Sequence, residues 1–222
     1  MMTMMPLRAD AARNRKAIVD TARSVFAEQG LDVALDEIAR RAGIGNATLY
    51  RRFPSRADLV AAVFAEQMAD HVAAVEAALG DPDPWAGLGS YLTAIAAMQA
   101  NDRGLADLVT MDLSAAPEIE SLRAQAFAGL VTLLERAKAA GALRAEFNPE
   151  DVLVLLMANA GLVERTHGSA GTASARLVHL FVDGMRAEAA TEGPKPPTPR
   201  RMSLAMRTNS ARLRLCSQPD EG

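Results

Sequence analysis

The segment 34–59, ALDEIARRAGIGNATLYRRFPSRADL, constrains the fold more than any other part of the chain. Leu35, Ile38, Ala39 and Ala42 recur at helical spacing and predict a short helix over residues 35–42. Acidic residues occupy its first turn and arginines its last, which suits the helix dipole at both ends. Gly43 follows where a left-handed C-terminal cap is needed. The pattern therefore predicts a helix that ends in a tight turn.

A second short helix and the start of a third follow this turn. Asn46 is a favoured N-cap residue, so we expect a helix over residues 47–53. Pro54 ends it, because the residue before a proline is pushed out of the α region. Ser55 and Asp58 have the spacing of a capping box and predict the start of the next helix.

The second helix is expected to have one apolar face and one polar face. Leu49 and Phe53 are four residues apart and therefore point inward together. Arg51 and Arg52 point elsewhere, and an exposed arginine helix of this kind fits the major groove of B-DNA. A solvated surface helix is the alternative interpretation of the two arginines alone. The turn, the caps and the shortness of the helix favour DNA binding.

Three motifs in this region resemble the tetracycline-repressor (TetR) family of bacterial regulators. They are FAEQG at residues 26–30, LDEIARRAGI at 35–44 and NATLYRRFPSRADL at 46–59. The resemblance implies an all-α homodimer of about nine helices per subunit, with a three-helix DNA-binding head and a ligand-binding, dimerising body. It also implies repression of transcription that an unknown small-molecule effector releases, and double-stranded DNA with a palindromic operator as the partner.

The resemblance also assigns the residues that contact DNA. The matching positions are Asn46, Ala47, Thr48, Tyr50, Arg51 and Arg52 in the recognition helix, with Arg56 at a position that usually grips phosphate. Ala34 departs from the family, which often has a threonine there that caps the following helix and touches phosphate. This departure puts one cap and one backbone contact in doubt, although Asp36 can partly serve as a local cap.

Composition supports the all-α class and excludes several others. Half of the residues are apolar, and no alternating run of strand-forming residues competes with the helical pattern. A single cysteine, Cys216, excludes a disulfide framework and a cysteine-based metal site. No run of about 18 apolar residues predicts a membrane span, and the N-terminus lacks the apolar stretch of a signal peptide. We therefore expect a cytoplasmic protein without membrane contact.

Charge is distributed unevenly and suggests three parts. Residues 1–56 carry ten Lys/Arg against six Asp/Glu, residues 57–192 eight against nineteen, and residues 193–222 six against two. A basic head on an acidic body suits a DNA-binding protein, because phosphate contacts supply much of the affinity. We expect a head over residues 1–55, a body over 56–192 and a disordered basic tail over 193–222, whose GPKPPTP start is typical of extended chain.

The body is expected to contain a ligand pocket. Helices are predicted over residues 56–79, 85–100, 105–113, 117–140, 150–166 and 172–190. The resemblance places a mostly apolar pocket among them, lined by Trp85, Tyr91, Met98, Leu108, Met111, Phe127 and Asn159, with Gln99 and Thr110 as further polar candidates. For each of these residues, an ordinary place in the core is the alternative.

The last two predicted helices are expected to form the dimer interface. The resemblance places a two-fold four-helix bundle here, and the apolar candidates are Leu153, Leu156, Met157, Ala160, Leu177, Leu180, Phe181 and Gly184. Small and large residues at this spacing suit close helix packing. A two-fold dimer would set two recognition helices roughly 34 Å apart on a palindromic site.

Two other classes of protein are the alternatives to a DNA-binding regulator. An enzyme is disfavoured, because the three histidines are scattered and no GxSxG, HExxH, P-loop or Rossmann pattern appears. His179 and Asp183 have the spacing of a metal pair, but surface pairing is the better interpretation, so we expect neither a metal nor a cofactor. A helical scaffold that has lost DNA binding is favoured by Ala34 and opposed by the intact recognition helix.

Overall fold

The computed structural model describes residues 5–110, 114 and 116–212, and the side chains from residue 14 onward except those of 167 and 209–212. Ten α-helices form in this part of the chain. They are α1 (Met5–Gln29), α2 (Leu35–Arg41), α3 (Asn46–Arg52), α4 (Arg56–Leu79), α5 (Pro84–Asn101), α6 (Arg103–Val109), α7 (Pro117–Ala139), α8 (Pro149–Thr166), α9 (Ala170–Gly184) and α10 (Pro199–Arg212). The all-α class is confirmed, with ten helices where about nine were expected.

The turn between α2 and α3 has the predicted geometry. Gly43 adopts φ +68°, the left-handed conformation that L side chains rarely adopt. The Ile44 N–H donates to the Ala39 carbonyl at 3.0 Å and the Gly43 N–H to the Arg40 carbonyl at 3.2 Å. This pair of bonds is a Schellman motif, which satisfies carbonyls that the end of a helix leaves free.

Of the helix N-caps predicted in the head, one is confirmed and another is wrong. Ser55 and Asp58 form the predicted capping box, since each side chain accepts a hydrogen bond from the backbone N–H of the other. The N-cap expected at Asn46 is wrong: Gly45 holds that position, and Asn46 is the first helical residue. Ala34 caps α2 without a side-chain hydrogen bond, so neither Asp36 nor another side chain replaces the missing threonine.

Two hydrophobic cores stabilise the molecule, and α4 contributes to both. The head core joins α1, α2 and α3 to the first half of α4 and to α6, and it includes Ile18, Phe26, Ile38, Leu49, Phe53, Leu59, Phe64 and Leu108. The body core joins the second half of α4 to α5, α7, α8 and α9, and it includes Val75, Leu92, Leu133, Leu156 and Val178. The head core thus continues past residue 55, so a boundary there marks the start of α4 rather than a gap in packing.

The C-terminal part differs from expectation in two ways. α9 ends at Gly184 rather than near residue 190, because the chain turns to pair Arg186 with Leu143 in an isolated antiparallel bridge. The disordered tail expected from composition is wrong for residues 199–212, which form α10 and bury Met202 and Met206. Residues 213–222 lie outside the described part of the chain. None of the described helices is long and apolar enough to cross a membrane.

Candidate functional site

Helix α3 presents a polar face away from the head core. Leu49 and Phe53 are each 1% exposed and hold the helix on the core, as predicted. Tyr50 is 39% exposed although it is a large aromatic residue. The remaining positions that the sequence selected on this helix lie at the surface, with Thr48 half-buried and the others exposed: Asn46, Ala47, Arg51 and Arg52. One short helix therefore carries six of the seven predicted DNA contacts.

The arginines of α3 differ from those of α2 in what they contact. Arg40 and Arg41 both form ion pairs with Glu37, at 2.7 and 2.9 Å, and Arg41 also pairs with Glu28 at 3.0 Å. Hydrogen bonds from Arg40 and Arg41 lower the pKa of Glu37 to about 2, so this cluster is internally neutralised. Arg51 and Arg52 form no hydrogen bond or ion pair with any residue in the described part of the chain. Of the arginines on these two helices, those of α3 are therefore the ones left unpaired within the described part of the chain.

Arg56, the seventh predicted DNA contact, binds backbone carbonyls of the protein in the structure. Its guanidinium donates to the backbone carbonyls of Leu31 and Val33, both at 2.8 Å. The side chain is half-buried, and burial lowers the pKa of its guanidinium. Arg56 thus ties α4 to the α1–α2 connection, and this task occupies the guanidinium that was expected to contact phosphate.

A cavity of about 350 Å³ lies in the body between α4, α5, α7, α8 and α10. Tyr91 and Phe127, two of the predicted pocket residues, line this body cavity. Its other lining residues are His71, Val109, Glu120, Arg123, Ala124, Leu130, Glu150, Leu153, Pro199, Met202, Ser203 and Met206. The volume falls in the lower part of the range of small-molecule sites, and the lining combines apolar walls with a few polar groups.

The other predicted pocket residues lie elsewhere. Leu108 is buried in the head core, and Met98 packs against that core. The guanidinium carbon of Arg186 lies over the Trp85 ring, 4.7 Å from the ring centroid. Met111 lies outside the described residues.

The polar candidates also serve the core rather than the body cavity. The side-chain amide of Asn159 donates to Gln99 at 2.8 Å inside the body. The Thr110 hydroxyl donates to the Ala106 carbonyl at 3.1 Å, as is usual at the end of a helix. Neither Asn159 nor Thr110 is among the residues that line the body cavity, and their hydrogen bonds fit the alternative of an ordinary place in the core.

His71 is a cavity residue that the sequence analysis did not select. Its Nε2 lies 2.9 Å from the Tyr91 hydroxyl, whereas its Nδ1 has no hydrogen-bond partner among the described residues. The side chain is 6% exposed, and burial lowers its pKa to about 4, so the imidazole is neutral at neutral pH. Burial also raises the pKa of Tyr91. The signal was present, because His71 falls seven residues after Phe64 on the apolar stripe of α4.

The predicted dimer residues divide into three groups. Leu156 is buried in the body core, and Phe181 packs edge-to-face on Phe147 at 5.9 Å. Leu153, Met157 and Ala160 lie on the side of α8 that faces α10. Leu177 is half-buried on α9, and Leu180 and Gly184 are exposed on the same helix. Val154 of α8, which was not selected, is also exposed.

A short cationic helix that follows a tight turn and stands out from a helical core defines a helix-turn-helix DNA-binding protein. Comparison with known proteins agrees with this class. Residues 18–63 match the model of the family described as bacterial regulatory proteins, tetR family. Residues 83–187 match the model described as transcriptional regulator SbtR-like, C-terminal domain. A TetR transcription regulatory protein from Mycobacterium vanbaalenii is 34% identical over 82% of this chain and 99% of its own, with a TM-score of 0.47. The chain belongs to the TetR family.

Other relatives extend the comparison in sequence and in fold. An HTH-type transcriptional regulator of Staphylococcus aureus (strain USA300) is 41% identical over 54 residues, which span 24% of this chain and 29% of that protein. The ketosteroid transcriptional regulator KstR2 of Mycobacterium tuberculosis has a TM-score of 0.59 at 17% identity, over 78% of this chain and 94% of its own. FadR from Bacillus subtilis, solved with stearoyl-CoA, has a TM-score of 0.56 at 18% identity, over 77% and 98%. The last two share the fold.

Proposed function

We propose that this protein is a cytoplasmic homodimeric repressor that binds a palindromic operator through α3 and releases it when a small molecule enters the body cavity. The observation that carries DNA binding is the contrast between α2 and α3. The arginines of α2 are neutralised within the head, whereas Arg51 and Arg52 are exposed and, within the described part of the chain, unpaired beside Tyr50. Free arginines on a helix that fits the major groove supply both base and phosphate contacts.

The proposed recognition surface is Asn46, Ala47, Thr48, Tyr50, Arg51 and Arg52. A homodimer would present two copies of this recognition surface. Exposed apolar residues on α8 and α9, among them Val154 and Leu180, support a dimer interface formed by these two helices. Two copies of α3 would then meet two half-sites one helical turn apart. Residues 1–55 would act as the DNA-binding head and residues 56–192 as the ligand-binding and dimerising body.

The body cavity is a suitable effector site because it touches both helices that hold the head. His71 lies in the middle of α4, whose first half packs in the head core, and Val109 lies at the end of α6. The Asp107 carboxylate of α6 accepts a hydrogen bond from the Leu31 N–H at 2.8 Å. Arg103 of the same helix donates to the Glu28 carbonyl at 3.1 Å. A ligand that moves either helix would therefore move the head.

Release also requires a ligand that distinguishes two head positions. An effector shifts the equilibrium only by the difference in its affinity for the two states. FadR, which shares the fold, was solved with stearoyl-CoA, and this complex supports a ligand-binding role for a protein of this fold. The effector of the present protein would be small and largely apolar, because most of the residues that line the cavity are apolar.

The recognition surface can be tested with Tyr50→Ala and Arg51→Ala. Each substitution should weaken operator binding by about 1–3 kcal/mol, or roughly 5- to 150-fold per half-site, because it removes a side chain that would touch the DNA. Arg165→Ala is a matched control, because Arg165 is an exposed arginine on α8. Fluorescence anisotropy with labelled operator gives the affinities, and circular dichroism confirms folding. Operator affinity unchanged in both α3 variants would remove these residues from the recognition surface.

A further inference from the structure

Helix α10 is joined to the body by an exposed strap. Residues 190–198 have no helical or strand structure and include three prolines, so α10 does not continue α9. The segment leads to Pro199, which is the first residue of α10 and lines the body cavity. α10 packs against α8. A helix attached in this way can leave its seat without unfolding the helices beneath it.

Two methionines pack α10 against the body. Met202 and Met206 are four residues apart on one face and are 7% and 9% exposed. Every other α10 side chain in the range 199–208 is exposed, including Leu204 at 59%. A helix that was part of the permanent core would bury a wider stripe. Methionine is flexible and adapts to irregular apolar surfaces, which suits a contact that breaks and re-forms.

The face of α10 that packs on the body also forms one wall of the body cavity. Four of the cavity-lining residues belong to α10: Pro199, Met202, Ser203 and Met206. They face Tyr91, Phe127 and Leu153 across a space of about 350 Å³. Because this space persists with α10 in place, the helix forms one side of the cavity without filling it.

Charge also favours a reversible seat. The segment 199–212 contains four arginines and no acidic residue, whereas residues 57–192 carry eight Lys/Arg against nineteen Asp/Glu. Attraction between a basic helix and an acidic body keeps α10 near the cavity at low salt, and salt screens it.

We propose that α10 is a tethered lid on the body cavity: it lifts to admit a neutral, largely apolar molecule and closes over it through Met202 and Met206. This proposal rests on the effector site proposed above. It assigns to the tail the control of how fast the ligand enters and leaves. It leaves α3 and operator binding to the head.

The lid is tested by the exchange kinetics of a neutral apolar fluorescent probe, N-phenyl-1-naphthylamine. Stopped-flow measurements compare the full chain, a chain that ends at Gly193, the double variant Met202→Ser/Met206→Ser, and Leu204→Ser. Removal of the lid should raise the dissociation rate of the probe at least tenfold, and the double variant should behave in the same way. Leu204→Ser removes an exposed apolar residue from the same helix and should match the full chain.

A second measurement is independent of the probe. In a Cys216→Ser background, Met202→Cys and Leu204→Cys are allowed to react with a thiol reagent. A seated lid should slow the reaction at position 202 at least tenfold relative to position 204. Equal reaction rates would show that α10 is not seated, and equal probe rates in the full and shortened chains would show that it is no lid.

Absence of probe uptake by both chains would also overturn the lid, because nothing would then enter the cavity. Operator titration of the same samples separates this result from a failure of the DNA-binding proposal, since the shortened chain keeps α1 to α9 intact.

Discussion

The neutral, buried His71 makes the stability of the fold depend on pH in a way that one substitution removes. In the folded protein burial lowers the pKa of His71 from 6.5 to about 4. As pH falls below 6.5, the unfolded chain binds a proton that the folded protein takes up only near pH 4. The folded state therefore loses stability across this window and keeps it fully only above about pH 6.5. At about 1.4 kcal/mol per pKa unit, the loss is on the order of 3 kcal/mol.

The substitution His71→Gln removes the titration and retains a polar partner for Tyr91. Urea unfolding at pH 7.5, 6.5, 5.5 and 4.5, followed by circular dichroism at one protein concentration, gives the free energy of unfolding of each protein. We expect the wild type to lose about 2.5 kcal/mol more than His71→Gln between pH 7.5 and 4.5, because the lowest pH still lies above the folded-state pKa of about 4. His179→Gln tests whether loss of any histidine has the same effect, because His179 is exposed on α9. Parallel curves for the wild type and His71→Gln would show that burial does not lower the pKa of His71.

Three destabilising substitutions and one control substitution test the geometry and packing that position the head, each by the free energy of unfolding. Gly43→Ala should cost about 1–2 kcal/mol, because φ is +68° there and no neighbour lies within 4 Å to add a clash. Gly104→Ala should cost about 1–3 kcal/mol, because its Cβ would lie 2.7 Å from Phe64. The control is Gly89→Ala on α5, where a Cβ has room; this substitution should stabilise the protein by roughly 0.5–1 kcal/mol. Arg56→Ala should cost about 2–3 kcal/mol by removing two charged hydrogen bonds to backbone carbonyls. An unchanged free energy of unfolding in Gly104→Ala or Arg56→Ala would contradict the close packing of α4 and α6 on the head.

The head could be predicted from sequence because its determinants are local. The positive φ of Gly43 and the Ser55–Asp58 capping box depend on residues a few positions apart. The N-cap of α3 was misplaced by one residue, since a favoured cap residue at Asn46 does not outweigh the turn that puts Gly45 there. The role of Arg56 was missed because it depends on carbonyls more than twenty positions earlier in the chain.

The body cavity could be predicted only in part, because it depends on how distant helices meet. Tyr91 and Phe127 were selected as large residues on suitable helices, and the structure places both at the cavity. His71 was missed because a histidine on an apolar stripe does not reveal its partner. The order in the tail was also missed: two methionines four residues apart in a basic, proline-flanked segment are a weak helical signal without the body surface that buries them.

Operator binding by the whole protein is the direct test of sequence-specific DNA binding through α3. The purified chain is titrated against the DNA that flanks its own gene, with scrambled DNA as competitor, at two salt concentrations. We expect tight binding that survives the competitor and weakens with salt while the preference for one sequence remains. Binding that is weak, indifferent to sequence and abolished by salt would contradict a specific regulator, because α3 would then contact only the phosphate backbone.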